Sequence, residues 1–211
     1  MPVRPVSPEV LVTELAEWIA ATRPTEWLRI VLDGAPPARP DELADALVEP
    51  LKVRGRAVLR VSAADFLRPA SLRYERGRTD PDAFYTDWLD LAGLTREVLA
   101  PLQPGGTGRV LPSLWDAASD RATRADYTQL PEGGVLLLDG ALLLGRGLPA
   151  ELTVHLWLSP AALARKLPSA QQWALAGYAR YEQEATPAET ADLVVRVDNA
   201  EHPAILRDNR V

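Results

Sequence analysis

Two short apolar runs with one amphipathic segment between them decide what this chain can fold into. "WLRIVLD" (27–33) and "RAVLRVSA" (56–63) have the length and composition of buried strands. Between them, "DELADALVEPLKVRG" (41–55) spaces its apolar residues for a helix. Asp41 and Glu42 fall in its first turn, where the helix dipole favours negative charge. Pro50 disturbs its end and Gly55 stops it. Strand, helix and strand within about 35 residues make a βαβ unit, and such a unit implies a parallel sheet.

The alternation continues along the chain. Strands are expected near 28–33, 57–62, 135–139, 152–158 and 193–197, with "GVLLLDGALLL" (134–144) central and "DLVVRVDN" (192–199) last. "RVLPSLWD" (109–116) reads as an edge strand, because Pro112 cannot donate to a ladder. Helices are expected from Ser7 to about Thr22, from Thr86 to Leu102, from Pro160, and from about Ala170 to Glu184. The expectation is a three-layer α/β fold, roughly five parallel strands with helices on both faces. An N-terminal helix (1–24) should pack on a single domain spanning 25–211, since 211 residues suit one sizeable core.

Composition narrows the chemistry. A net charge of −6 argues against nucleic acid as a partner. With no cysteine there are no disulfides, thiolate metal sites or thiol nucleophiles. Only His155 and His202 offer imidazole, and no metal site is expected. His155 alternates with apolar residues in "ELTVHLWL" and reads as a core or sheet-face histidine. No apolar run suits a signal peptide or a membrane span, so a cytoplasmic protein with no membrane partner is expected. A homodimer is compatible with the sequence.

"IVLDGAPPARPDELADAL" (30–47) has the outline of a phosphate-binding loop. Such loops, G-x-x-x-x-G-K-[ST], hold phosphates with a nest of backbone N–H groups, a lysine and a helix N-terminus. Counted from Gly34, the second glycine falls on Arg39, the lysine on Pro40 and the hydroxyl residue on Asp41. Pro36, Pro37 and Pro40 have no N–H to give. Asp41 and Glu42 put negative charge where phosphates would sit. Of the two lysines, Lys52 lies far down the helix, on the order of 16 Å away.

Five later segments, in order, resemble the uridine-kinase-like P-loop family, the nucleoside kinase and phosphoribulokinase group. "VLRVSAADFLRP" is similar to its "VSVDDF", "RYERGRTDPDAF" to "HPDAF", and "LPSLWDAASDR" to "PVYDF". "GVLLLDG" is similar to "VLLFEG" and "ADLVVRVDN" to "ADVVIDN". The resemblance implies a P-loop-kinase fold over roughly residues 27–199. It implies an acceptor pocket built from Tyr74, Arg76, Phe84, Trp115 and Asp116, with Asp139 where the family keeps an acidic residue near its metal. The family's general base falls on Ala64, with Asp65 one residue late as its substitute. Its lid arginines reduce here to Arg165 and Lys166, and its acceptor-pocket histidine falls near Asp120.

Phosphoryl transfer rests on positioning and charge neutralisation, so these losses should leave little activity. The expectation is a uridine-kinase-like protein with a degenerate ATP site, binding a small nucleoside-like ligand or regulating a partner, with no cofactor. Two alternatives stay open. One is an active nucleoside-type kinase that grips ATP and Mg through Arg39, Arg165 or Lys166. The other is an enzyme of another class reusing the acceptor pocket, with Asp65, Asp116 or Asp139 as acid or base. Each residue also has a structural reading: Asp139 as a turn cap before Gly140, Trp115 as core, Arg73, Arg76 and Arg78 as a solvated cluster. Trp173, Gly177, Tyr178 and Tyr181 fit a packing face of a helix better than a binding site.

Overall fold

The computed structural model describes residues 3–23 and 25–209, and in it the chain enters through strand β1 (Arg4–Pro5) and helix α1 (Pro8–Ala21). Ser7 starts α1 by accepting the Val10 N–H at 3.3 Å. Pro24, the last residue of the expected N-terminal segment, lies outside the described residues, as do residues 1, 2, 210 and 211 at the expected domain limits. The βαβ unit follows as expected: β2 (Leu28–Asp33), α2 (Pro40–Val53) and β3 (Val58–Ser62). Pro50 sits inside the last turn of α2, and Gly55 closes it at φ +81°, a conformation glycine adopts without strain.

Three short helices come next: α3 (Ala70–Arg73), α4 (Pro81–Thr86) and α5 (Leu91–Leu94). The continuous helix expected over 86–102 is broken. Asp90 caps a new start by accepting the Gly93 N–H at 2.8 Å, and Trp88 and Leu89 lie in the gap. After α5 the chain loosens into a π turn (Thr95–Leu99) and tightens into a 3-10 turn (Ala100–Leu102).

Four two-residue strands lie outside the main sheet. β4 (Arg109–Val110) pairs with β7 (Thr128–Gln129), and β5 (Trp115–Asp116) with β6 (Arg121–Ala122). The segment 109–116 is therefore no edge strand of the core. Pro112 interrupts it, and its two halves pair antiparallel with different partners in two separate small sheets.

The chain then returns through β8 (Val135–Gly140), β9 (Leu152–Trp157), α6 (Pro160–Lys166), α7 (Leu175–Ala185), α8 (Pro187–Thr190), β10 (Leu193–Arg196) and β11 (Ala204–Asp208). The main sheet has the order β1-β11-β10-β9-β2-β8-β3. Its five members from β10 to β3 are parallel, while β11 and β1 extend the edge antiparallel. The sheet thus has seven strands, and 193–197 is not the last. The connection from β10 to β11 is too short for a crossover helix, so β11 must reverse direction.

Side chains alternate across the sheet and divide the core in two. On β8, Val135 and Leu137 join Leu15, Ile19, Leu47 and Leu51 of α1 and α2. Leu136 and Leu138 instead join Leu94, Val98 and Tyr181 on the opposite face. Helices thus cover both faces of a parallel sheet whose middle strand β2 is wholly buried. That arrangement places the C-terminal ends of β2, β3, β8 and β9 at one rim.

Candidate functional site

At that rim lies a cavity of about 310 Å³. Its floor comes from strand ends: Gly34 after β2, Ser62 of β3, Asp139 and Gly140 of β8. Pro36, Pro40 and Asp41 close one side, and Phe84, Tyr85, Trp88, Arg146 and Tyr178 form the cover. Parallel α/β sheets place their ligand crevices at such strand ends. Its wall is mainly apolar, with four aromatic rings and few polar groups, the usual make-up of a small-molecule site.

The loop between β2 and α2 bonds two of its own N–H groups internally. Pro36–Ala38 form a 3-10 turn in which the Ala38 N–H donates to the Ala35 carbonyl at 2.7 Å and the Arg39 N–H to Pro36 at 3.0 Å. Arg39 adopts φ +62°, the left-handed conformation for which phosphate loops use glycine. Its guanidinium pairs with Glu42 and is more than half exposed. Arg39 borders a different surface hollow, beside α1, and is absent from the rim cavity. Lys166 donates to the Val197 carbonyl at 3.3 Å, and Arg165 is exposed. None of the three cations expected to rescue a donor nucleotide lines the cavity. For a triphosphate with its metal these residues offer little: three loop residues are prolines without an N–H, and the loop side chains that line the cavity are those of Pro36, Pro40 and Asp41.

Asp139 is 2% exposed at the end of β8. The Arg60 Nε donates to its Oδ1 at 2.9 Å and the Ser62 hydroxyl to its Oδ2 at 3.1 Å. Arg60 also reaches Asp45 of α2 at 2.8 Å. Burial pushes the Asp139 carboxyl above its ordinary range, with Arg60 and Ser62 opposing. An internal guanidinium therefore occupies both a charge and an oxygen that a metal would otherwise need. Asp65 lies in the 3-10 turn Ala63–Phe66 after β3. Its carboxyl is also raised, first by burial and then by Asp139, with Arg60 opposing and Asp116 adding. Ala64 lines the cavity where Asp65 does not.

The five residues expected to surround an acceptor do not share one cavity. Only Phe84 lines it. Tyr74 stands one layer behind, its ring 5.6 Å from that of Trp88 and covered by Arg73 and Arg78. Arg76 is exposed, 3.9 Å from Asp87. Trp115 and Asp116 sit in the β5–β6 hairpin. The Trp115 indole donates to Asp120 at 3.1 Å, and Asp116 caps a turn by accepting from Ser119 and Ala118, which lowers its pKa. Pro112 is the physical reason: by breaking the strand it diverts Trp115 from the sheet rim into a separate hairpin.

Several lining residues carried no signal in the sequence. Trp88 reads there as a position within a long helix, and only the Asp90 cap frees it. Its Nε1 is buried without a hydrogen-bond partner. Arg146 donates to the Tyr85 carbonyl at 2.6 Å and holds the cover in place. Tyr178 and Tyr181 are buried and Gly177 lets α7 approach Pro81 and Phe84, so three of the four expected residues share a packing face of α7, while Trp173 lies in the 3-10 turn Ser169–Ala174 before it. Tyr178 in addition reaches the cavity.

No family model matches the chain, and no curated protein matches it. Solved structures do. One described as a possible uridine kinase from Bacillus stearothermophilus superimposes with a TM-score of 0.73 at 18% identity, over 88% of this chain and 97% of that one. Another, described as a "putative fructose transport system kinase" from Silicibacter sp. TM1040, gives 0.59 at 22% identity, over 84% and 90%. The chain therefore has the three-layer α/β fold seen in uridine-kinase-like P-loop kinases. Among the described residues, no helix is long and apolar enough to cross a membrane.

Proposed function

We propose that this protein is a kinase-fold binding protein: its phosphate-donor site is closed, and its rim cavity takes a small nucleoside-like molecule without efficient phosphotransfer. One observation carries the reading. The segment that should cradle phosphates is a proline-built turn whose Ala38 and Arg39 N–H groups are bonded within the turn, leading into Asp41. The neighbouring acid, Asp139, is neutralised by Arg60 and so has an internal partner in place of a metal. Phosphoryl transfer has little to work with when the donor grip and the metal site are both lost.

The cavity keeps what a flat, hydroxylated ligand needs. Phe84, Trp88 and Tyr178 offer ring faces and edges, and Asp41 and Asp139 offer acceptors for hydroxyl groups. Calorimetry with Mg-ATP and, separately, uridine tests this directly. Binding of uridine, with no Mg-ATP affinity tighter than about 1 mM, is the expected pair of results. Micromolar Mg-ATP affinity, or phosphorylated uridine accumulating in the mixture, would overturn the reading.

A further inference from the structure

On the other side of the same loop lies a second cavity of about 580 Å³, between the ends of β2 and β9 and helices α6 and α7. Its walls are mostly apolar, with Trp157, Leu163 and Leu175 prominent. Its polar end is built around Asp33, a wholly buried carboxylate. Asp33 Oδ1 accepts the Leu143 N–H at 2.8 Å, and Oδ2 accepts the Tyr181 hydroxyl at 2.9 Å. Oδ2 also lies 2.7 Å from His155 Nδ1. Because the carboxylate can only accept, Nδ1 carries a hydrogen and the ring is held in one orientation.

The other ring nitrogen is left over. His155 is 3% exposed, yet its Nε2 has no hydrogen-bond partner. The carboxylate facing it, Glu182 Oε1, stands 3.7 Å away, too far for a hydrogen bond. Buried polar groups are nearly always satisfied, so an orphan nitrogen beside a cavity asks for a partner. Glu182 is 41% exposed on α7 and lines the same cavity, so its side chain can turn outward to admit one.

We infer that this second cavity is a binding site for a small, largely apolar molecule carrying one neutral hydroxyl, which bridges His155 Nε2 and Glu182. The hydroxyl accepts from the imidazole and donates to the carboxylate, and the apolar body lies along Trp157, Leu163 and Leu175. Charge excludes the obvious rival. With Asp33 and Glu182 flanking a protonated His155, the site is net negative, and an anion such as a phosphate or carboxylate would be repelled. Burial alone would lower the His155 pKa, but the Asp33 and Glu182 carboxylates raise it to about 9, which keeps Nε2 a donor at neutral pH. Nothing in this assignment depends on the rim cavity, whose lining shares only Tyr178 with it.

Benzyl alcohol, toluene and benzoate share one ring and differ only at the group offered to His155, so they make a matched probe set. Each would be titrated into the whole protein by ligand-observed NMR, with long-range proton–nitrogen spectra following the His155 ring. Benzyl alcohol should bind and move the Nε2 resonance, and toluene and benzoate should bind at least about tenfold more weakly. Glu182→Ala, at a partly exposed helix position, should weaken benzyl alcohol several-fold, while circular dichroism shows the fold retained. Leu163→Trp should abolish binding by filling the cavity. Equal affinity for toluene, tightest binding by benzoate, displacement by Mg-ATP, or no binding by any probe would each overturn the assignment.

Discussion

At the scale of single residues, the chain carries buried charge that only a specific partner makes tolerable. His155 is the plainest case. Its folded pKa of about 9 lies above the roughly 6.5 expected in the unfolded chain. The folded state therefore binds the proton more tightly, and the resulting stability is fully present below about pH 6.5. It is lost as pH rises through 9, by an amount on the order of 3 kcal/mol. Urea unfolding between pH 6 and 10 should show this decline, and His155→Gln should flatten it; an equal decline in the variant would assign it to other groups. Arg39 makes the opposite point, because here the side chain is the misfit. Its left-handed backbone disfavours any residue with a Cβ, and its partner Glu42 is exposed. Arg39→Gly should stabilise the fold by roughly 0.5–1 kcal/mol, and a loss in the same assay would mean that the ion pair outweighs the strain. Arg60 is needed more. Removing it strands the buried Asp139 charge, so Arg60→Met should cost about 3 kcal/mol, against nearly nothing for a surface arginine such as Arg76.

At the scale of elements, what the sequence discloses depends on whether an element's reasons are local. β2, β8, β9 and β10 lie within a residue or two of where their apolar runs put them, because burial on both faces leaves an apolar signature, and the half-buried edge strand β3 is found by its β-branched residues. The start of α1 and the stop after α2 are legible for the same reason, through Ser7 and Gly55. The cavity lining is not. Trp88 reaches the rim only because Asp90 restarts the helix, and Trp115 misses it because Pro112 splits its strand. Nor does the sequence announce that His155, on β9, will meet Asp33, on β2: adjacent parallel strands bring together residues 122 apart. The two tryptophans give the elements a test. If the α4–α5 connection covers the ligand, Trp88→Phe should remove the change in fluorescence that uridine causes, and Trp115→Phe should leave it intact. Since Trp115 is only half-buried and ends its indole on exposed Asp120, that second substitution should cost less than about 1 kcal/mol. A uridine response that vanishes with Trp115 would move the site to the hairpin.

For the whole molecule, one sheet rim supports two cavities with a single loop between them, and the loop's chemistry decides what the fold can do. Gly34 lies on that divide. A Cβ there would come within 3.1 Å of Leu156, so the loop must leave β2 tightly packed against β9 whatever residues follow. The sheet and α2 present a strand, a turn and a helix N-terminus, and prolines fill the turn between them. On the proposed reading, phosphate affinity is missing for local reasons and can be restored locally. Replacing Pro36→Ser, Pro37→Gly, Arg39→Gly, Pro40→Lys and Asp41→Ser together returns the N–H groups, a lysine and a hydroxyl to the loop. The left-handed turn at residue 39 is already in place to receive the glycine. The grafted protein should bind Mg-ATP tighter than about 1 mM by calorimetry, a limit the parent is expected not to reach. Turnover should stay negligible, because Arg60 still holds Asp139 and neither Arg165 nor Lys166 lines the rim cavity. A graft that folds with an unchanged melting temperature and still ignores Mg-ATP would place the loss in the lid and the sheet rim instead, and the proline turn would then be a consequence of that loss.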